Sequence, residues 1–374
     1  MVNTKGIYFF TGTGGVLWGI EEPHDKPYFY CSAPFFYETI RDIMGSIRNR
    51  GKPIERYGSE REAEGMTEYE KPIVDITLVE ETISEHLGDG AIEITPLQGG
   101  NLSRVFSFIH EGQGYVIKFS DLEGAYQSEI YVSNLLSSQG IPFPRCIGHG
   151  KTGNLEYSIL EKIEGRNLAD FSAEEQRRRL PELIRILTRL NHIDLRGAHG
   201  YGWIGASGDG AFPTWKDYWE SVYAEDQTGS FWENWYALFH TSCLEKEVFD
   251  EIYSRLTAYS HYNDSHRYFI HGDFHQWNIL SDGSRITGIL DCNCAYGDFL
   301  VDLAILDRHM DGHNVVQTYQ DHQAEAGFVI PDFNERLKGA YYFKGLDGLR
   351  FYAKMGWTDA YAYTRNFLLG LDKS

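Results

Sequence analysis

The stretch that most constrains this chain runs from Tyr268 to Asp291 and reads YFIHGDFHQWNILSDGSRITGILD. A short apolar run leads into a His-Gly-Asp tripeptide that ends at Asp273, and Asn278 follows in the same loop. A second apolar run meets a Ser-Asp-Gly-Ser turn at 281–284, which is a hairpin signal. A third apolar run ends at Asp291. The pattern predicts a loop that carries one carboxylate and one amide, and a hairpin that returns a second carboxylate to them.

This set of groups is what phosphoryl transfer from a nucleotide to an alcohol requires. One Asp orients the attacking hydroxyl and accepts its proton, while an Asn and a second Asp hold Mg²⁺ against the phosphates. The sequence therefore predicts Asp273 as the catalytic residue, and Asn278 and Asp291 as magnesium ligands. His271 and His275 lie in the same loop, and we interpret both as structural.

The combined motif, HGDFHQWN followed by ILD, resembles the aminoglycoside phosphotransferases, which are small-molecule kinases with a protein-kinase-like fold. Their motif is H-G-D-x-x-x-x-N followed by I-x-D. The resemblance extends over ITPLQGGNLSRVFSF, GYVIKF, IPFPRCIGHG and GYGWIG, from about Ile76 to Leu306, and it is greatest toward the branch that acts on hygromycin B. Phe299 departs from the family pattern G-D-P-x-x-D-L-A, where the family has proline.

The resemblance implies an α+β, bilobal protein-kinase-like fold. Residues 76–167 would form an N-lobe with a five-stranded antiparallel sheet and a hinge. Residues 168–374 would form a mainly helical C-lobe with the catalytic loop and the substrate site. Residues 1–75 fall outside the pattern, and we interpret them as an extra N-terminal segment and linker of unknown role.

A glycine-rich turn, QGGNLS, lies between the predicted strands 92–97 and 103–109. Glycines let the backbone approach phosphate oxygens, and Ser or Asn side chains can donate hydrogen bonds to them. The resemblance places a nucleotide-covering loop at this position. Its candidate nucleotide-binding residues are Gly99, Gly100, Asn101 and Ser103.

Lys118, in the predicted strand YVIKF, stands where the kinase-like fold has its phosphate-pairing lysine. The resemblance implies a glutamate partner on the next helix, which the sequence predicts over 122–138. Glu129, in the interior of that helix, fits better than Glu123. The resemblance further implies an adenine site at the hinge, made by the backbone carbonyl of Glu161 and the backbone N–H of Ile163.

The net charge of −20 argues against a nucleic-acid surface or an anionic membrane as partner, because both need clustered Lys and Arg. It agrees equally with an acidic protein of no special specificity and with a cationic, polyhydroxylated substrate. Acidic residues are dense at 217–233 and 298–311, two segments that we expect to flank Asp273. The same acids could instead form a solvated surface.

The five cysteines are an odd number at scattered positions, so the sequence predicts no disulfide framework. The C-x-C pair at Cys292 and Cys294 is a weak metal signal because no second pair completes it. No apolar run is long enough to span a membrane. We expect a cytoplasmic monomer.

These observations predict a kinase that transfers the γ-phosphate of ATP or GTP, with Mg²⁺, to a hydroxyl of an aminoglycoside such as hygromycin B. One alternative is a kinase of another small alcohol, such as a macrolide, a sugar, choline or homoserine, because the same catalytic core serves all of these. The other is a nucleotide-binding pseudokinase, against which the complete set of Lys118, Asp273, Asn278 and Asp291 argues.

Overall fold

The computed structural model describes two short strands near the N-terminus, by their backbone alone, and residues 71–97 and 102–373. The chain divides into two units, 1–52 and 53–374. In the first unit, β1 (Phe10–Gly12) and β2 (Gly15–Leu17) pair antiparallel. All other elements that the structure describes belong to the second unit.

The N-lobe of the second unit is a five-stranded antiparallel sheet in the order β3-β4-β5-β7-β6. Strand β4 alternates fully and partly buried residues, because one face of the sheet covers an apolar core that also receives Val79 and Ile83 of the helix Ile76–Leu87. The predicted sheet is confirmed. The elements are α1 (Ile76–Leu87), β3 (Ile92–Leu97), β4 (Arg104–His110), β5 (Gln113–Ser120), β6 (Cys146–Thr152) and β7 (Leu155–Glu161).

Helix α2 (Glu129–Ser138) begins later than the predicted start at 122. The preceding residues form turns instead. Gly124 has a φ of 73°, which lies in the left-handed region that a helix excludes, and its N–H donates to a side-chain oxygen of Glu156 at 2.8 Å. Glu129 is therefore the first residue of the helix and does not lie in its interior as predicted.

The C-lobe is mainly helical and is built around the helix Phe333–Lys354, which packs against the helices Lys246–Asn263, Leu300–His309 and Thr358–Gly370. The first helix of the lobe is capped at its N-terminus by Ser172, which forms a capping box with Glu175. The helices of this lobe are α3 (Ala173–Asn191), α4 (Trp215–Val222), α5 (Leu238–Thr241), α6 (Lys246–Asn263), α7 (Leu300–His309), α8 (Val315–Glu325), α9 (Phe333–Lys354) and α10 (Thr358–Gly370).

Two small sheets hold the catalytic stretch. The first has the order β10-β9-β14-β11, and the second has the order β13-β12-β8, with antiparallel pairing throughout. The strands are β8 (Arg166–Asn167), β9 (Tyr201–Ile204), β10 (Gly210–Phe212), β11 (Tyr268–Ile270), β12 (Ile279–Ser281), β13 (Ile286–Ile289) and β14 (Ala295–Gly297). The predicted strand, loop and hairpin therefore form as β11, a loop, β12 and β13.

A buried ion pair joins the end of β14 to α9. Asp298 is 0% exposed and Arg336 is 1% exposed. The guanidinium donates to both carboxylate oxygens, at 2.8 Å from Nε and 2.9 Å from Nη2. Asn263 Nδ2 and the backbone N–H of Leu300 donate to the same carboxylate at 2.7 and 3.0 Å. The carboxylate therefore accepts four hydrogen bonds, as a buried charge requires.

Among the residues that the structure describes, no helix is both long enough and apolar enough to cross a membrane.

Candidate active site

Lys118 lies between two carboxylates that come from different lobes. Its Nζ is 2.7 Å from Glu129 Oε1 and 3.4 Å from Asp291 Oδ1, and its side chain is only 11% exposed. Burial lowers the pKa of Lys118, but the charges of Glu129 and Asp291 outweigh it, so the pKa rises above its ordinary value. Lys118 is therefore a permanently charged ammonium at the junction of the lobes.

Neighbouring strands and turns fix the position of Lys118. It pairs with Val105 on one side and Ser158 on the other, and Ser158 Oγ donates to the second oxygen of Glu129 at 3.1 Å. The ring of Tyr126 lies 5.2 Å from the ammonium, which is cation–π distance. Both oxygens of Glu129 are thus engaged, and the ammonium has little freedom to move.

Asp273 and Asn278 are held together in the loop between β11 and β12. Asn278 Nδ2 donates to Asp273 Oδ2 at 2.8 Å and to the backbone carbonyl of Asp273 at 3.0 Å. The amide nitrogen therefore faces Asp273, which leaves Asn278 Oδ1 as an acceptor for a cation. The other oxygen of Asp273 is 3.2 Å from Nε2 of His275.

The charge state of Asp273 follows from its neighbours. Burial raises the pKa of Asp273, but the positive charges of His275 and Lys344 outweigh it, so the pKa lies well below its ordinary value. Burial lowers the pKa of His275, and the carboxylate of Asp273 outweighs that effect and raises it. Asp273 is a carboxylate at neutral pH, which is the form that can accept a hydroxyl proton.

The backbone of the His-Gly-Asp tripeptide is fixed from α7. The carboxylate of Asp302 accepts the N–H groups of His271 and Gly272, both at 2.8 Å. Gly272 has a φ of 78°, and a Cβ there would collide with the carbonyl oxygen of Asn293, so only glycine fits. Burial lowers the pKa of His271 to about 4, and its Nδ1 accepts the N–H of Asp273 at 3.3 Å. His271 is thus neutral and supports the loop.

The hairpin brings Asp291 to Asn278, as its sequence pattern predicts. Ile279 pairs with Ile289, and the backbone N–H of Leu290 donates to the carbonyl of Asn278 at 2.7 Å. Asp291 itself has a left-handed backbone with φ 51°, and its side chain is 53% exposed. The carboxylate of Asp291 therefore lies at an open surface beside Asn278.

These two residues suit Mg²⁺ by their chemistry. Both offer oxygen donors, and Mg²⁺ is usually bound by one or two carboxylates together with substrate phosphates and water. In residues 71–97 and 102–373, no group of three or more His, Cys, Asp or Glu side chains is placed to hold a metal ion. A protein-only cage is thus not found there, and the pair fits an ion that a phosphate helps to bind.

The predicted nucleotide residues are described in part. Gly99, Gly100 and Asn101 lie outside the described residues, whereas Ser103 is described and its Oγ is 2.9 Å from the hydroxyl of Tyr126. Ser103 and Lys118 therefore approach the same tyrosine from two sides.

The predicted hinge follows β7 directly. The backbone N–H of Glu161, the last residue of β7, donates to the carbonyl of Arg145 at 2.8 Å. The side chain of Ile163 packs on Gly288 of β13, where a Cβ would come within 2.9 Å of it. The hinge thus lies against the strand that leads to Asp291, so one bound nucleotide could contact both.

Three residues of this site carry no motif in the sequence. Tyr126 lies in a segment that the pattern predicts as helix. Lys344, in the middle of α9, lies close enough to affect the pKa of both Asp273 and Asp302. His309, at the end of α7, lies against His275 with ring centroids 4.7 Å apart. Only their positions in the folded chain show that they belong to the site.

The structure corrects the expectation on cysteines. Cys292 and Cys294, which directly follow Asp291, are joined as a disulfide with their Cα atoms 5.1 Å apart. This Cα separation is shorter than two residues of an extended strand span, so the chain bends between Cys292 and Cys294. The separation lies within the range that a disulfide spans.

Comparisons with known proteins show what this chain is similar to. Residues 93–338 match the model of the phosphotransferase enzyme family. Hygromycin-B 4-O-kinase of Escherichia coli is 27% identical over 237 residues, which are 63% of this chain and 67% of that protein.

Solved structures show the same fold. A thermostable mutant of aminoglycoside phosphotransferase APH(4)-Ia, in ternary complex with AMP-PNP and hygromycin B, has a TM-score of 0.64 at 22% identity and covers 79% of this chain and 98% of its own. Spectinomycin phosphotransferase APH(9)-Ia, in complex with ADP and spectinomycin, has a TM-score of 0.54 at 13% identity, with coverages of 80% and 99%. A fructosamine-3-kinase of Haemophilus somnus 129PT, itself assigned as putative, has a TM-score of 0.53 at 15% identity, with coverages of 78% and 96%.

At these identities the solved structures establish the protein-kinase-like fold, while the family model covers well over half of the chain. The chain belongs to the phosphotransferase enzyme family and is a phosphotransferase.

Proposed function

We propose that this protein transfers the γ-phosphate of ATP or GTP to a hydroxyl of an aminoglycoside antibiotic such as hygromycin B, and so confers resistance to it. The observation that carries the proposal is the contact of Lys118 with both Glu129 and Asp291. This contact supports the proposal because an ammonium that could pair with phosphate lies beside a carboxylate suited to Mg²⁺, at the end of the hairpin that follows Asn278. Phosphate, metal and attacking hydroxyl would therefore meet at one point.

The transfer step follows from the protonation states of the site. The substrate oxygen bonds to the γ-phosphorus while the bond from that phosphorus to the β,γ-bridging oxygen breaks, and the nucleoside diphosphate leaves. Asp273 orients the hydroxyl and takes its proton, which its carboxylate form allows. Lys118 pairs with the nucleotide phosphates. Mg²⁺ held by Asn278 and Asp291 would neutralise charge on the phosphate oxygens.

Two observations support an aminoglycoside as substrate. The curated relative is a hygromycin-B kinase, and this chain carries a net charge of −20. The acidic residues of segment 217–233 are exposed, as attraction of a cationic substrate needs. Those exposed residues are Asp217, Glu220, Glu225, Asp226 and Glu233.

The second acidic segment, 298–311, does not serve as expected. Asp298 and Asp302 are fully buried, and Asp307 accepts a hydrogen bond from the hydroxyl of Tyr341 at 2.6 Å. The side chains of these three residues are engaged in contacts within the protein, so the expectation that this segment attracts the substrate is wrong for them. Attraction of a cation would rest on segment 217–233.

A kinase of a less cationic alcohol is the second candidate. Lys344 places a positive charge near Asp273, where an ammonium group next to the reacting hydroxyl would be repelled. If that repulsion governs specificity, the substrate is a neutral alcohol, or an aminoglycoside whose reacting hydroxyl lies away from its ammonium groups.

A panel experiment separates the candidates. The purified protein is incubated with MgCl₂ and either ATP or GTP, together with hygromycin B, other aminoglycosides, a macrolide, choline, homoserine and simple sugars. Mass spectrometry then detects a phosphate adduct. We expect an adduct on an aminoglycoside, and a Michaelis constant that rises with ionic strength because attraction between charges is screened. Adducts confined to neutral alcohols would select the second candidate.

The matched control is Asp273→Asn, which keeps the size of the side chain and removes its charge. We expect nucleotide affinity to stay within a fewfold while turnover falls by orders of magnitude, since positioning and proton acceptance are lost together. Magnesium-dependent turnover by the unaltered protein would exclude a pseudokinase, whereas its absence with every acceptor would support one. A cytoplasmic location and a monomeric state stay predictions.

A further inference from the structure

We infer that His275 and His309 are positioning residues for Asp273: the imidazole of His275 fixes one oxygen of the catalytic carboxylate, and the ring of His309 fixes His275. This inference rests on the proposed kinase activity and adds two residues to it. Neither residue is needed to contact substrate or nucleotide, because both act through Asp273.

The two oxygens of Asp273 have different partners. Asn278 Nδ2 donates to Oδ2 at 2.8 Å, and Nε2 of His275 lies 3.2 Å from Oδ1. A carboxylate held through one oxygen can still rotate about its Cβ–Cγ bond, whereas one held through both cannot. The direction in which Asp273 presents its lone pairs to a hydroxyl therefore depends on His275 as well as on Asn278.

His275 has no second hydrogen bond that sets its own orientation. Its other ring nitrogen, Nδ1, is buried and has no hydrogen-bond partner within the described part of the chain. Its side chain is 15% exposed, so water does little to hold it. What lies against the ring is His309, with centroids 4.7 Å apart and ring planes inclined by 36°. Packing therefore takes the place of a second hydrogen bond.

His309 is itself anchored. Its Nδ1 is 2.8 Å from the backbone carbonyl of Ile305 in α7, so this nitrogen carries the proton and donates it. Burial, together with the positive charge that His275 carries when protonated, lowers the pKa of His309 to about 4, so the ring of His309 is neutral. A neutral ring can pack against His275 in either protonation state of His275 without repulsion between charges.

One helix thus supports the catalytic loop at two points. Asp302 and His309 are seven residues apart on α7, which is about two turns, so they project from the same face. Asp302 holds the backbone of His271 and Gly272, and His309 holds the side chain of His275. Residues of α7 therefore support both the backbone of the loop and, through His275, the carboxylate of Asp273.

The experiment measures steady-state kinetics of four variants with the substrate found in the panel. His275→Leu removes the hydrogen bond, while His275→Gln keeps an N–H at similar reach. His309→Ala removes the packing, while His309→Phe keeps a ring. We expect kcat to fall about 10- to 100-fold in His275→Leu and about tenfold in His309→Ala, because a small misplacement of a reacting group is costly. Gln and Phe should recover most of that loss.

The Michaelis constant for the nucleotide should stay within about twofold of the unaltered protein in all four variants, because only the acceptor side is disturbed. The double variant His275→Leu/His309→Ala should be no slower than His275→Leu alone, since His309 acts only through His275. His261→Ala is the matched control. The Nδ1 atom of His261 likewise bonds to a helix carbonyl, that of Ala258 at 2.9 Å, but His261 is an exposed residue of α6.

Thermal unfolding and nucleotide binding are measured for each variant to confirm that it is folded. A kcat within twofold of the unaltered protein in His275→Leu would overturn the inference, and so would losses that multiply in the double variant. Equal losses in the Leu and Gln variants would also overturn it, because they would show no need for the hydrogen bond. If the proposed function fails instead, the unaltered protein itself is inactive in the same assay.

Discussion

The buried pair of Asp298 and Arg336 makes a sharp prediction on stability. The change Asp298→Asn keeps the shape of the side chain and an acceptor for Asn263 or Leu300, but it leaves the guanidinium of Arg336 without a counter-charge. Arg336 is 1% exposed and cannot reach water without unpacking α9. Removing one partner of a buried ion pair costs about 3–5 kcal/mol. We therefore expect the free energy of unfolding to fall by about that amount.

The assay is urea denaturation followed by circular dichroism. The matched control is Asp250→Asn, which breaks the exposed pair of Lys246 and Asp250, whose atoms are 2.6 Å apart on one face of α6. The Lys246–Asp250 distance is shorter than the 2.8 Å of the buried Arg336–Asp298 pair, but solvent screens the exposed pair. Its loss should therefore lower the free energy of unfolding by only about 0.3–0.5 kcal/mol.

A further variant tests the cause of the loss. Replacing Arg336 by Met in the Asp298→Asn background removes the isolated charge, and buried ion pairs replaced by apolar residues are often neutral in stability. We expect the double variant to be more stable than Asp298→Asn alone. If Asp298→Asn costs no more than the Asp250→Asn control, the pair does not carry the stability assigned to it here.

Three other predictions concern the metal, the N-terminal segment and pH. Asp291→Ala should raise the magnesium concentration needed for turnover and abolish most transfer, while activity at unchanged magnesium would place the ion elsewhere. A chain that starts at Met66 keeps the contact of Arg104 with the carbonyl of Pro72, so it should fold and turn over substrate; an insoluble or inactive product would make the N-terminal segment part of the enzyme. The unfolded chain protonates His309 near pH 6.5 and the folded chain only near pH 4, so this residue lowers stability as pH falls through that window, by up to about 3 kcal/mol. His309→Phe should flatten that fall in urea denaturation at pH 4.5 and 7.5, and an unchanged difference would contradict the lowered pKa.

The catalytic stretch and the N-lobe sheet were predictable because their signals are local. A tripeptide, an amide in the same loop and a Ser-Asp-Gly-Ser turn fix the geometry of the loop and hairpin within one segment that ends at Asp291. The pleat of a strand sets which face of β5 carries Lys118. The family resemblance supplied Glu129 as its partner, and the two side chains lie 2.7 Å apart. None of these inferences needs residues from the rest of the chain.

What the sequence did not reveal depends on contacts between distant segments. Helix α2 begins only at Glu129 because Gly124 has a left-handed backbone, which a helix excludes. The N–H of Gly124 donates instead to the side chain of Glu156 in β7. Asp298 reads as a surface acid in the sequence, yet Arg336 makes it a core residue. A charge pattern records the number of acids and their order, but burial is decided by partners that the fold brings from elsewhere.

The sharing of Lys118 between Glu129 and Asp291 has a consequence for the order in which ligands bind. The ammonium lies 3.4 Å from the carboxylate suited to the metal, so a cation that binds Asp291 has to compete with Lys118. Phosphate oxygens give the ammonium an alternative partner, and the carboxylate is then released. Nucleotide and Mg²⁺ should therefore favour each other's binding, each lowering the other's dissociation constant by the same factor.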